Sequence, residues 1–233
     1  NMEGERAFAQ ELEALDPDLL ADNESIAFKY DLGGGYKTSD GWEPLGLTGY
    51  YDTFGPELSF AQTLQAELDD NIAIAKFTHS GSQIIDWTPE GSMAVDRMLY
   101  EPFIAFVKES VQELEARGHE VELVGIFYHV GENDMSFHPY RQDAPERLQS
   151  LIKQSREDLD SPSLKWYVSQ QLPTDDDRVN SIDVVAGIAE IAAADPNMIL
   201  LQAFDLPEQE KKLVLDTAGV LRLGELIAEG YIK

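Results

Sequence analysis

Residues 72–82 read Ile72-Ala73-Ile74-Ala75-Lys76-Phe77-Thr78-His79-Ser80-Gly81-Ser82, six residues of strand character that run straight into a polar, glycine-bearing turn. That join recurs along the chain. Val121–Val130 leads into Gly131-Glu132-Asn133-Asp134, Leu164–Ser169 into Gln170 and Gln171, and Met198–Ala203 towards Asp205. Ile26–Tyr30 is a fifth such run. Most of them are continuously apolar rather than alternating, the pattern of parallel strands covered on both faces. Amphipathic helical patterns lie between them. Pro56 suits the first position of a helix whose face is Leu58, Ala61, Leu64 and Leu68. Val95, Leu99, Phe103, Val107, Val111 and Leu114 form a second stripe, closed by Gly118 and expected to kink or restart at Pro102. Arg147, Leu148, Leu151 and Ile152 mark a third helix and Val179–Ala194 a fourth. Asp216 is placed to cap a fifth, with Val220, Leu223, Leu226 and Ile227 facing inward. The alternation predicts an α/β fold, a three-layer α/β/α sandwich with one mostly parallel, doubly wound sheet. The segment from Asp31 to Phe54, with Gly33-Gly34-Gly35 and Trp42, fits neither pattern. It reads as a surface excursion pinned by Trp42 or as a substrate-facing lid.

Composition narrows the function. The chain has 233 residues, 44 acidic and 17 basic, for a net charge of −27. So acidic a surface repels phosphate backbones and anionic membranes, so neither nucleic acid nor a membrane is an expected partner. The absence of cysteine excludes disulfides, thiolate metal sites and a cysteine nucleophile. The four histidines lack ligand spacing, and Asp175-Asp176-Asp177 reads as solvated loop, so no metal or other cofactor is expected. No phosphate-binding glycine fingerprint is present, which argues against a nucleotide-binding protein. The first residue is Asn1, not methionine. That implies processing or truncation, places any signal peptide upstream, and leaves the compartment open. The oligomeric state has no signature in the sequence.

In open α/β sheets, ligands bind beyond the carboxyl ends of the strands. The residues there are polar: Thr78–Ser82, Gly131–Asp134, Gln170, Gln171 and Asp205. Two of these loops, with three other segments, resemble a family. Asn1-Met2-Glu3-Gly4 is similar to the tail of the Gly-Gln-Ser-Asn-Met-x-Gly block of sialate O-acetylesterase-like proteins, a branch of the SGNH hydrolases that includes carbohydrate esterase family six. Lys76–Ser82 followed by Asp86-Trp87 resembles their second block. Phe127–Asp134 resembles the third, with its Gly-x-Asn-Asp signature. Gly55–Ala61 resembles the helix start between the first two blocks, and Leu215–Gly224 the last helix. The five segments occur in the family's order over nearly the whole chain.

The resemblance implies one SGNH hydrolase domain over residues 1–233, of flavodoxin-like fold, and a serine ester hydrolase that removes acetyl groups from carbohydrates. It places the nucleophilic serine immediately before Asn1, so a longer polypeptide carrying that serine and a first strand is expected. Such chemistry needs an activated hydroxyl and donors aimed at the developing oxyanion. By resemblance, these donors are the N–H of the serine, the backbone N–H of Gly81 and the side-chain amide of Asn133. Asp134 is expected to order the Gly131–Asn133 loop rather than to catalyse. Asn1, Ser80, Ser82, Glu132 and Gln171 are the expected substrate-binding residues, and an acetylated carbohydrate is the expected ligand. The chain departs from the family at the base. The family's Asp-x-x-His falls on Lys211 and Val214, and no histidine follows His138. His79, His129, His138 or a carboxylate such as Glu132 or Asp205 is left to serve as base, with His79 favoured. His119, in a helix–strand turn, is expected to be structural. A catalytically impaired, carbohydrate-binding relative is the alternative reading.

Overall fold

The computed structural model describes residues 10–33, 37–49, 52–94, 97–130, 134, 138–170, 184–203, 206–207 and 215–233, with side chains omitted at 138–140 and 184. It divides into two compact units, Asn1–Ser80 with Asp205–Lys233, and Gly81–Phe204.

In the first unit, strand β1 (Asn23–Asp31) is central. It pairs antiparallel with β2 (Glu43–Leu45) and parallel with β3 (Ile72–Phe77), in register from Ile26 opposite Ile72 to Asp31 opposite Phe77. Every second residue of β1, Ile26, Phe28 and Tyr30, is buried, as the two-residue repeat of a strand requires of a core face. Leu12, Leu19, Leu45, Leu58, Ala61 and Leu221 complete that core. Burying each leucine-sized side chain contributes about 1.5–3 kcal/mol. β3 alternates, with Ile72 and Ile74 half-buried and Ala73 and Ala75 exposed, so one of its faces meets solvent.

Helix α1 (Glu57–Glu67) starts one residue after Pro56, which takes the cap position. The buried Glu57 accepts from the N–H of Gly55 at 2.9 Å and pairs with Lys76 of β3 at 2.8 Å, tying the helix start to the strand end. The final helix, separated from α1 by most of the chain, packs against it; Ser59 donates to the carbonyl of Leu221 at 2.7 Å. Gly224 makes the approach possible. A Cβ there would stand 2.2 Å from the carbonyl oxygen of Pro56 and from Ser59 Oγ, and 2.8 Å from the N of Phe60. Backbone cannot yield as a flexible side chain can. Gly224→Ala is therefore expected to destabilise by about 1–3 kcal/mol, the cost of overpacking. Thermal melting checks this, and an unchanged midpoint would refute the close approach.

In the second unit, β4 (Gly125–Val130), β5 (Lys165–Gln170) and β6 (Met198–Gln202) form a parallel sheet with β5 in the middle. The central position explains why Trp166, Tyr167, Val168, Ser169 and Gln170 are all buried. Arg156 holds the strand starts together. It donates to the carbonyls of Leu164 at 2.8 Å and Asn197 at 2.9 Å and pairs with Asp195. The helices are α2 (Tyr100–Ala116), α3 (His138–Asp158) and α4 (Val184–Ala194). In α3, the expected Leu148, Leu151 and Ile152 are buried. Residues 179–183 of the expected fourth helix lie outside the described residues. Helix α5 (Thr217–Ile232), in the first unit, is capped by Asp216, which accepts from the N–H of Gly219 at 2.8 Å. Its Leu223 and Ile227 are buried and its Val220 and Leu226 half-buried.

Three expectations are corrected. The strand of residues 121–130 begins only at Gly125, because its partner β5 begins at Lys165, opposite Gly125. Val121 and Val124 therefore have no partner there in the ladder, and Val124 is exposed. Pro102 does not interrupt α2, which runs unbroken from Tyr100; in the first turn a proline removes no intrahelical hydrogen bond. The Asp31–Phe54 segment is not wholly irregular. It contains β2, and Leu45 and Thr48 are its buried anchors while Trp42 is half-buried. Gly118, at φ +91°, closes α2 as expected. Its N–H reaches the carbonyl of Glu115 at 2.9 Å, and that of His119 reaches Leu114 at 3.2 Å. This is a Schellman closure, and it gives the His119 backbone a structural role. Among the described residues, three of the four strand pairings are parallel, and no helix is long and apolar enough to cross a membrane.

Candidate active site

The turn that follows β3 is fixed from several sides. In the first unit, the N–H of Thr78 donates to the carbonyl of Asp31 at 2.9 Å, continuing the ladder one residue past the strand. Gly33, at φ +63°, receives the His79 side chain; a Cβ on Gly33 would lie 2.5 Å from the Thr78 carbonyl and 3.1 Å from His79 Cδ2. The half-buried His79 ring places Nδ1 3.1 Å from the Ser80 carbonyl oxygen. A carbonyl oxygen only accepts, so Nδ1 carries the proton and donates, and in the neutral ring Nε2 is then the free base. Ser80 is exposed.

In the second unit, Gly81 has φ +71°, a conformation that disfavours any side chain. The chain then forms the 3-10 turn Ile84–Trp87, capped reciprocally by Gln83 and Asp86. Both oxygens of Asp134 accept from the N–H of Ile84, at 3.0 and 3.1 Å. Asp134, expected to order its own loop, thus anchors the turn that follows Gly81. Asp86, 1% exposed, accepts from the N–H of Gln83 at 2.9 Å. Ser82 Oγ accepts from Trp87 Nε1 at 3.1 Å. The indole lies edge-on to Phe103 and Tyr128, with ring centres 6.1 and 6.3 Å away. Burial pushes the Tyr128 phenol well above its ordinary range, and the Asp134 and Asp86 carboxylates push it further, so it stays protonated.

His129, half-buried in β4, places Nδ1 2.8 Å from Ser169 Oγ of β5. Those residues stand opposite each other in the parallel register. Gln170 closes β5 and is buried. Of His138, only the helical backbone at the start of α3 is described. Asn1, Glu132, Asn133, Gln171, Asp205, Lys211 and Val214, and the acidic run 175–177, lie outside the described residues. Sequence reading missed the part played by Arg97, whose guanidinium reaches the Gly81 carbonyl. No local pattern marks an arginine sixteen residues from the glycine it holds. Asp86 had a signal, the three-residue spacing from Gln83 that forms a reciprocal cap.

The family model described as "Carbohydrate esterase, sialic acid-specific acetylesterase" matches residues 1–233. A probable carbohydrate esterase of Arabidopsis thaliana is 23% identical over 225 residues, covering 94% of this chain and 78% of that protein. Its crystal structure superposes with a TM-score of 0.66, covering 93% of this chain and 84% of the other. A carbohydrate acetylesterase from Xanthomonas citri gives a TM-score of 0.67 at 16% identity, covering 96% of this chain and 52% of the other. These likenesses show the expected fold class, a mostly parallel α/β/α sandwich. Matched over its whole length, the chain belongs to the sialic acid-specific acetylesterase family of carbohydrate esterases.

Proposed function

We propose that the protein is a serine ester hydrolase that removes acetyl groups from carbohydrates, working as one domain over residues 1–233, with its nucleophile the serine expected immediately before Asn1. Family membership supports ester hydrolysis of an acetylated carbohydrate. The observation that supports the reading in this chain is the Gly81 turn, with its positive φ and its anchors at the Gly81 carbonyl and the Ile84 N–H, and its backbone N–H is proposed as an oxyanion donor. In the proposed reaction the serine oxygen attacks the acetyl carbonyl carbon while its proton passes to Nε2 of His79. The carbonyl oxygen becomes an oxyanion held by the serine N–H, the Gly81 N–H and the Asn133 amide. The carbon–oxygen bond to the sugar breaks as the imidazolium returns the proton to the leaving sugar oxygen. Water, deprotonated by the same histidine, then attacks the acetyl-serine carbonyl carbon; the carbon–oxygen bond to serine breaks, the serine oxygen takes the proton back from the imidazolium, and acetate leaves.

His79 is preferred as base because its Nδ1 is engaged by a backbone carbonyl, which leaves Nε2 with the lone pair. His129 Nδ1 instead meets the Ser169 hydroxyl, which can donate or accept and so does not fix which ring nitrogen keeps the lone pair. Ser82, whose Oγ accepts from Trp87 Nε1 beside the Gly81 turn, is proposed as a sugar contact. Asn1, Ser80, Glu132 and Gln171 are proposed as further sugar contacts.

The test is Asn133→Ala in the full-length protein. Turnover of an acetyl ester is expected to fall about 10²- to 10³-fold, the loss of one oxyanion donor. Unchanged turnover would remove Asn133 from the site. The substitutions Lys211 and Val214 at the family's Asp-x-x-His favour a second reading, an impaired relative that binds acetylated sugars without cleaving them. Sugar binding without turnover at any pH would establish that reading.

A further inference from the structure

We infer that Arg97 is a positioning residue that holds the Gly81 turn in its oxyanion-donating form; this rests on the esterase reading of the site. Gly81 has no side chain to pack, and at φ +71° it occupies a region from which a glycine departs at little cost. An external hold on its peptide groups is therefore needed if its N–H is to stay aimed. Arg97 supplies one, with Nη1 donating to the Gly81 carbonyl oxygen at 2.5 Å. The same nitrogen lies 3.5 Å from Oδ2 of Asp86, the carboxylate that also accepts from the Gln83 N–H. The guanidinium thus joins the first residue of the turn to the buried acid that caps its 3-10 segment.

Arg97 is itself held at its base. Its N–H donates to the Ala94 carbonyl at 3.0 Å, and the N–H of Leu99, two residues on, donates to the Asp86 carbonyl at 2.8 Å. The cation therefore arrives on a segment bonded to the same aspartate its side chain approaches. With 36% of its side chain exposed, Arg97 contributes little to core packing, while Asp86 is 1% exposed. Removing the guanidinium should free the Gly81 carbonyl without emptying the core.

The experiment compares wild type, Arg97→Gln, Arg97→Lys and Asn133→Ala in the full-length protein, reading kcat and KM on a small acetyl ester, the melting midpoint, and amide hydrogen exchange across residues 81–87. Arg97→Gln is expected to lower kcat about 10- to 100-fold, the cost of a donor misplaced by a fraction of an ångström to one ångström. KM and midpoint are expected to hold, and exchange across the turn to quicken. Arg97→Lys, a single charged donor in place of the fork, is expected to recover part of kcat. Wild-type turnover lost in Asn133→Ala supports the esterase reading by itself. An unchanged kcat in Arg97→Gln then overturns the positioning role alone, as does a lowered midpoint with kcat intact. Absence of wild-type turnover overturns both.

Discussion

Alanine in place of the serine expected immediately before Asn1 is expected to lower turnover of an acetyl ester by about 10⁶-fold, the loss seen when a serine hydrolase loses its nucleophile. The loss falls on kcat, because the hydroxyl forms its bond to carbon only as the reaction proceeds. Some rate over water is expected to survive, since the Gly81 N–H and the Asn133 amide would still receive an oxyanion formed by attack of water. The melting midpoint is expected to move little, as serine and alanine differ by one oxygen. The measurement is kcat in matched full-length preparations. A variant that retains wild-type turnover would show that the ester is cleaved by other means.

His79→Ala is expected to have the next largest effect, a loss of about 10⁴-fold or more in kcat, as for removal of a triad member. A histidine that takes the serine proton is needed in every turnover. In His79→Ala the rate is therefore expected to be lost, while His129→Ala keeps it. The structural basis is the asymmetry of the two rings. His79 donates Nδ1–H to the Ser80 carbonyl and lies against Gly33 at the end of β3, whereas His129 is bonded to Ser169 between paired strands. Lys211 and Val214 offer no replacement: valine has no titrating group, and lysine is ordinarily protonated at neutral pH. Equal rates in both variants and wild type would exclude both histidines and bring forward a carboxylate such as Glu132 or Asp205.

The fold was legible wherever one local rule acted alone. Ile72–Phe77 was read to the residue because a β-branched, apolar run ends at Thr78 in polar sequence. Asp216 and Gly118 were read correctly because an N-cap and a left-handed helix end each need only a few adjacent residues. The errors arose where tertiary partners decide. Val121 and Val124 have strand propensity, but β5 starts level with Gly125 and offers them no partner. Short β2, with Pro44 at its centre, takes its order from β1 rather than from its own sequence. In the site, the glycine turn was legible because its composition is distinctive. Its supports were not: Asp134 reaches Ile84 across 50 residues and Arg97 reaches Gly81 across 16, and neither spacing repeats as a pattern.

The central claim, a serine nucleophile adjoining Asn1 in a carbohydrate acetylesterase, is tested most directly by treating the full-length protein with a fluorophosphonate while following acetate release from an acetylated sugar. Peptide mass spectrometry then locates the adduct. The prediction is a single phosphonate on the serine joined to Asn1, with acetate release lost in proportion to labelling. Acetate release that continues in fully labelled protein, or an adduct confined to another residue, would contradict it.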